Sequence, residues 1–204
     1  MKLQRMAGYG PTAAYVSALS LALFFFILIA GNAIAQAVPA LIAPMTVVYL
    51  LALWLWLAAF AVVVFDLEWL EHPATSTRWF QIAHWATLAG AMAPVVLVLG
   101  LIARSTFLSA LAVLVIGACV GVSMLVHNID GRRAGLLRGW LPWVGIISGV
   151  GLILAGIGIP LALPPVGFTG LIVGQVLYIA WGIWMGTTLS RAKHTAPAPA
   201  PTTM

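Results

Sequence analysis

Carboxylates are nearly missing from this chain. Four acidic residues, Asp66, Glu68, Glu71 and Asp130, occur among 204, and charged residues of both signs make up only 6%. Soluble domains carry about 25% charged residues, so a soluble fold of this length could not cover its own surface. Lipid must be the solvent for most of the chain. Cysteine is as scarce: with Cys119 alone, an intrachain disulfide and any cysteine-based metal site are excluded. No Gly-x-Ser-x-Gly elbow, Gly-rich phosphate loop or HExxH motif occurs. Ser109 and Ser123 have no base placed for a triad, and no loop is long enough for a soluble domain.

What is present is apolar: 63% of the residues. Crossing the hydrocarbon core takes about 20 apolar residues in a helix, and six segments qualify. They run from about Tyr15 to Gln36, Met45 to Asp66, Trp79 to Ile102, Thr106 to His127, Trp140 to Leu161 and Gly167 to Leu189. The fold class is therefore all-α, a six-helix transmembrane bundle with short loops over residues 1–190. Residues 191–204, ending in an Ala-Pro repeat, read as an extended, disordered tail. Breakers fit the gaps: Pro39 and Pro44, Pro73 before the capping candidates Thr75, Ser76 and Thr77, the turn signal Asp130-Gly131, and Pro160, Pro164 and Pro165. Pro142 falls in the first turn of span five, where its missing N–H is harmless. Pro94, inside span three, is expected to kink that helix and free the Gly90 carbonyl.

The charges orient the bundle. With a cytoplasmic N-terminus, Lys2, Arg5, Arg78, Arg132, Arg133, Arg138, Arg191 and Lys193 all lie inside, and only Arg104 lies outside. That bias predicts both termini in the cytoplasm, and Trp69, Trp79, Trp140, Trp143 and Trp184 supply an aromatic belt near the same face. The net charge of +5 thus reads as an orientation signal, and nucleic acid is not an expected partner. A rival reading takes MKLQR, the first apolar run and Ala33-Ile34-Ala35 as a cleavable signal peptide. That run exceeds the usual signal core of about 7–15 residues, which favours a retained span.

Three of the four acids sit together in FDLEWLEH, residues 65–72. As an interfacial anchor, Asp66, Glu68 and Glu71 would pair with Arg132, Arg133 and Arg138 of the next cytoplasmic loop. As a metal site, Glu68, Glu71, His72, His84 and His127 supply carboxylate and imidazole, which suit zinc, iron or manganese; a haem between His84 and His127 is a variant of that reading. Against it, Pro73 follows His72 directly and the Glu-x-x-His spacing of di-iron bundles is absent. No cofactor is predicted. The spans hold no Asp, Glu, Lys or Arg at mid-depth, so a proton relay of the kind pumps use is missing unless His84 serves.

Asn32, Gln36, Gln175 and Tyr178 are the polar candidates for a substrate cavity, or for hydrogen bonds between helices. Trp54 and Trp56 point different ways, so at least one is expected to face lipid or another subunit. Small residues repeat at four-residue spacing: Ala14, Ala18 and Ala22; Gly117 and Gly121; Gly145 and Gly149; Gly170 and Gly174; Gly182 and Gly186. Such ridges let helix backbones approach closely, and most should serve packing within one compact monomer.

Two resemblances follow. HNIDGRRAGLLRGWLPWVGIISGVGLIL, with the region from 127 to 190, resembles the second half of uncharacterised bacterial multi-pass membrane proteins and implies no activity. The basic N-terminus, six spans and the Ala14, Ala18, Ala22 ridge resemble the substrate-binding components of energy-coupling-factor vitamin transporters. That resemblance implies a small-molecule ligand and a partner membrane subunit docked on the ridge. The expected function is non-enzymatic: binding or transport of a small molecule in the cytoplasmic membrane. The alternatives are an accessory subunit of a larger membrane complex, or a homo-oligomer, and a metal- or haem-dependent membrane enzyme built on the Glu/His cluster.

Overall fold

The structure is a computed structural model that describes residues 9–71 and 78–195; the side chains at 32, 33, 35, 36, 69–71 and 192–195 are outside the description. Six helices follow in order: α1 (Gly10–Ala37), α2 (Ile42–Glu71), α3 (Arg78–Ile102), α4 (Thr106–Arg133), α5 (Leu141–Gly158) and α6 (Pro164–Thr195). A single 3-10 turn, Pro39–Leu41, joins α1 to α2. All six are long and apolar enough to cross a membrane, the architecture of a multi-pass membrane protein. Among the described residues there is no strand.

The helices are apolar on nearly every side, so a hydrophobic stripe cannot choose their packing faces. Small residues choose them instead. A Cβ on Gly117 would meet the Gly156 Cα at 2.5 Å, and one on Gly121 would meet the Gly149 carbonyl at 2.5 Å, so α4 and α5 touch backbone to backbone. On the other side of α5, a Cβ on Gly151 would meet the Gly174 nitrogen at 2.6 Å, and one on Gly170 the Ala155 nitrogen at 2.7 Å. Gly182 and Gly186 of α6 receive Ala18 and the Tyr15 ring of α1. A closed ring results: α1 on α2, α2 against α3 and α4, α3 on α4, α4 on α5, α5 on α6, and α6 back on α1. Ala14 and Ala18 are buried in that last contact, while Ala22 is half-buried.

Several helix ends lie beyond the expected bounds. Asp130-Gly131 does not turn the chain: α4 continues to Arg133. The stop comes at Gly135, whose φ of 73° lets its N–H reach the Arg132 carbonyl while Leu136 N–H reaches Gly131 O at 2.9 Å. This paired closure is the Schellman motif. It recurs after α3, where Arg104 (φ 51°) precedes a bond from Ser105 to Gly100, and after α5, where Ala162 (φ 52°) precedes one from Leu163 to Gly158. Ser105 then caps α4, its Oγ accepting from Leu108 N–H at 3.3 Å. α3 runs unbroken through Pro94. α6 reaches Thr195, so the first residues of the expected tail are helical; residues 196–204 lie outside the described part. Ala33-Ile34-Ala35 forms part of the last turns of α1.

One end of the bundle gathers Asp66, Glu68, Arg78, Arg132, Arg133 and Arg191, and Arg104 stands in the turn at the other end. Among the described contacts the arginines of the basic loop have partners other than the acidic octet, whose Glu71 side chain is outside the description. Arg133 pairs with Asp130 of its own helix at 3.6 Å, Arg132 lies over the Trp143 ring at 4.4 Å, and Arg138 donates to the Gly135 carbonyl. A guanidinium three residues from a carboxylate, or beside an indole, finds a partner without ordering two loops.

Candidate functional site

Asp66 and Glu68 are both buried, at 7% exposure, and each does a different task. The Asp66 carboxylate accepts the Gly10 N–H at 2.8 Å. It thereby takes up one of the donors left over at the start of α1, where a negative charge also suits the helix dipole. A Cβ on Gly10 would collide with that carboxylate. Glu68 lies between two imidazoles: its Oε2 is 2.9 Å from His84 Nδ1, and its Oε1 is 3.5 Å from His127 Nε2. The first is a hydrogen bond and the second a contact longer than one. Phe65 stacks against His84 and Phe80 stands edge-on to His127. Glu68, His84 and His127 therefore tie α2, α3 and α4 together at the basic end. Among the described residues no three His, Cys, Asp or Glu side chains are arranged to hold a metal ion. The Glu71 side chain and His72 lie outside the described residues.

Further along the bundle the core carries neutral polar groups. Asn128 Oδ1 accepts from Trp181 Nε1 at 2.9 Å and its Nδ2 donates to Met124 O, with the Asn128 side chain packed against Gly145. Ser123 and Thr87 share a bond of 2.7 Å between α4 and α3. Ser148 of α5 donates to Gly174 O of α6 at 2.7 Å. Ser17 donates to the Trp56 carbonyl at 3.3 Å, which leaves its oxygen to accept from Tyr178 at 2.6 Å. Tyr178 is fully buried, with Trp56 edge-on at 5.5 Å and Phe60 and Trp181 around it.

Beyond this aromatic floor, about 18 Å along α2 from Glu68 at 1.5 Å per residue, lies a cavity of about 210 Å³. All six helices contribute to its wall, among them Phe24, Leu53, Trp56, Leu97, Leu152 and Gln175. Tyr49 and Phe24 stack 4.5 Å apart on one side. Leu28 and Ile159 line it and are also exposed on the outside of the bundle, so they form its rim at the end away from Glu68. Among the described residues no charged side chain lines it, and three polar ones do: Tyr49, Trp56 and Gln175. Gln175 and Trp56 are each 2% exposed, and Gln175 Oε1 has no hydrogen-bond partner among the described residues. The Trp56 indole packs edge-on against the Tyr178 ring, whose hydroxyl is within reach of its N–H. A buried polar atom left unpaired costs roughly 1–3 kcal/mol, which makes the Gln175 amide receptive to a ligand.

Of the expected cavity residues, Gln175 lines the wall and Tyr178 lies beneath it, bonded to Ser17. The side chains of Asn32 and Gln36 are outside the description, and Gly90 does not line the cavity. Trp54 is 43% exposed while Trp56 is buried. The Ala14 ridge, where a partner subunit was expected to dock, is occupied by α6. Ser17, Asn128 and the indole of Trp56 were not anticipated. Ser17 follows Ala14 by three residues and so lies near the face of the alanine ridge, but its partners lie on helices far away in sequence. No family model matches the chain, and neither a curated protein nor a solved structure matches it.

Proposed function

We propose that this chain is a non-enzymatic multi-pass protein of a bacterial-type cytoplasmic membrane, with both termini inside, that binds a small molecule in the cavity and serves its passage or delivery. One observation carries the reading: a cavity of about 210 Å³ among six helices, apolar but for the side chains of Tyr49, Trp56 and Gln175, with Gln175 Oε1 lacking a hydrogen-bond partner among the described residues. Ligand pockets have this composition, mostly apolar with a few convergent polar groups. An unpaired polar atom beside apolar walls is poor helix glue, because the same helices are already joined by glycine contacts and by the Ser17, Asn128 and Ser148 bonds. The clustering of cations at the Glu68 end supports placing that end inside, and the cavity rim at Leu28 and Ile159 then opens towards the outer half of the bilayer.

Native mass spectrometry of protein extracted from membranes in mild detergent tests the proposal. The expected spectrum contains a retained small-molecule adduct that disappears in Val113→Trp, which fills the cavity from α4. A spectrum of bare protein for both forms, with no small molecule able to raise the melting temperature of the wild type selectively, overturns it.

A further inference from the structure

The chemistry of the wall specifies more than the presence of a ligand. We infer that the cavity takes a neutral, largely apolar molecule bearing a hydroxyl group, seated with that hydroxyl against the Gln175 amide; this inference rests on the binding function proposed above.

Charge comes first. No Lys, Arg, His, Asp or Glu is among the described residues that line the cavity, and an ion moved into such surroundings without a partner loses far more hydration than dispersion contacts return. An anionic or cationic ligand is thereby disfavoured. Polarity comes next. Gln175 Oε1 requires a donor and finds none among the described residues. A hydroxyl is the smallest neutral group that both donates and accepts, so it serves the amide whichever way its oxygen and nitrogen are assigned. A pure hydrocarbon would fill the space and leave the amide oxygen unpaired. Size follows from volume: a dry cavity of about 150 Å³ accepts benzene, so one of about 210 Å³ accommodates about eight or nine non-hydrogen atoms by proportion. A longer tail would have to leave past Leu28 and Ile159. The aromatic faces of Phe24, Tyr49 and Trp56 suit an aromatic or branched body.

Three probes of matched size separate the possibilities: 4-ethylphenol, ethylbenzene and benzoate. Binding to the full-length protein is read by native mass spectrometry at equal micelle-phase concentrations. The expected result is that wild type prefers 4-ethylphenol to ethylbenzene by about tenfold, the value of one well-made buried hydrogen bond, and does not retain the benzoate. In Gln175→Leu the preference should fall to near unity while ethylbenzene binding persists, and in Val113→Trp all binding should be lost. Equal binding of ethylbenzene and 4-ethylphenol to wild type overturns the hydroxyl assignment and leaves the cavity function standing. Preferential retention of the benzoate overturns it as well. A preference that survives unchanged in Gln175→Leu shows that another group reads the hydroxyl. Binding of none of the probes to wild type, in protein that does retain a native adduct, overturns this ligand class alone. The same result without such an adduct overturns both proposals. The comparison of probes on wild type needs no variant, so a poorly folding substitution does not remove the test.

Discussion

Replacing Gly121 by alanine adds one methyl group where α4 crosses α5, and the geometry gives the consequence. The new Cβ would lie 2.5 Å from the Gly149 carbonyl oxygen and 2.6 Å from Ile153 Cγ1, against ordinary carbon contacts of about 3.5–4.0 Å. The helices must part by roughly 1 Å to restore such a contact. Retreat of α5 is blocked, because its opposite face already touches α6 at Gly151 and Gly174. Overpacking of this kind costs about 1–3 kcal/mol, and the better helix propensity of alanine offsets up to about 1 kcal/mol. A net loss of about 1–2 kcal/mol lowers the melting temperature by roughly 2–8 °C in a chain of this size. Cys119, the one cysteine, is half-buried on the same helix, so a fluorogenic thiol reagent reports unfolding directly. Gly31→Ala is the control: its Cβ would meet only the flexible end of Met45 at 3.3 Å and Ile27 at 3.9 Å, and its melting temperature should hold or rise. If Gly121→Ala melts no lower than wild type while Gly31→Ala melts lower, backbone contact through glycine is not what joins these helices.

Other perturbations have equally definite outcomes. Ala162→Gly removes a side chain from a left-handed backbone (φ 52°) and should raise stability by up to about 1 kcal/mol, read in the same melting assay. Asn128→Ala deprives Trp181 Nε1 of its acceptor and opens space over Gly145; a loss of about 2–3 kcal/mol is expected, against almost none for Arg133→Ala, whose side chain is mostly exposed. Glu68→Ala should loosen α3 and α4 at the basic end, seen as faster amide exchange around His84 and His127, and unchanged exchange there would contradict the bridging role. In a Cys119→Ala background, Arg104→Cys in intact cells should react with an impermeant maleimide and Arg133→Cys should not; the reverse pattern refutes the proposed orientation.

Hydropathy and charge carried the six helices, because lipid forces every backbone group to be satisfied within its own helix and leaves a long apolar signature. Helix ends were less legible. Asp130-Gly131 reads as a turn by composition, yet the left-handed residue that stops α4 is Gly135. Glycine spacing revealed the packing faces of α4, α5 and α6 but not which glycine meets which, since Gly117 against Gly156 depends on where the two axes cross. The acidic octet announced itself by rarity, and its use did not: Asp66 caps a helix 56 positions earlier, and Glu68 joins histidines from two other helices. In the cavity, Gln175 stood out as a polar residue in an apolar span. Trp56 did not, because whether an indole N–H is paired depends on three-dimensional neighbours that no spacing rule reaches.

A crystal structure of protein purified from its own membrane without ligand exchange tests the central claim most directly. The account predicts ordered non-protein density between Phe24, Leu53, Trp56, Leu152 and Gln175, with a polar atom within hydrogen-bond distance of the Gln175 amide. A core in which these side chains close on one another, with Gln175 bonded inside the chain and no volume left between the helices, would contradict it.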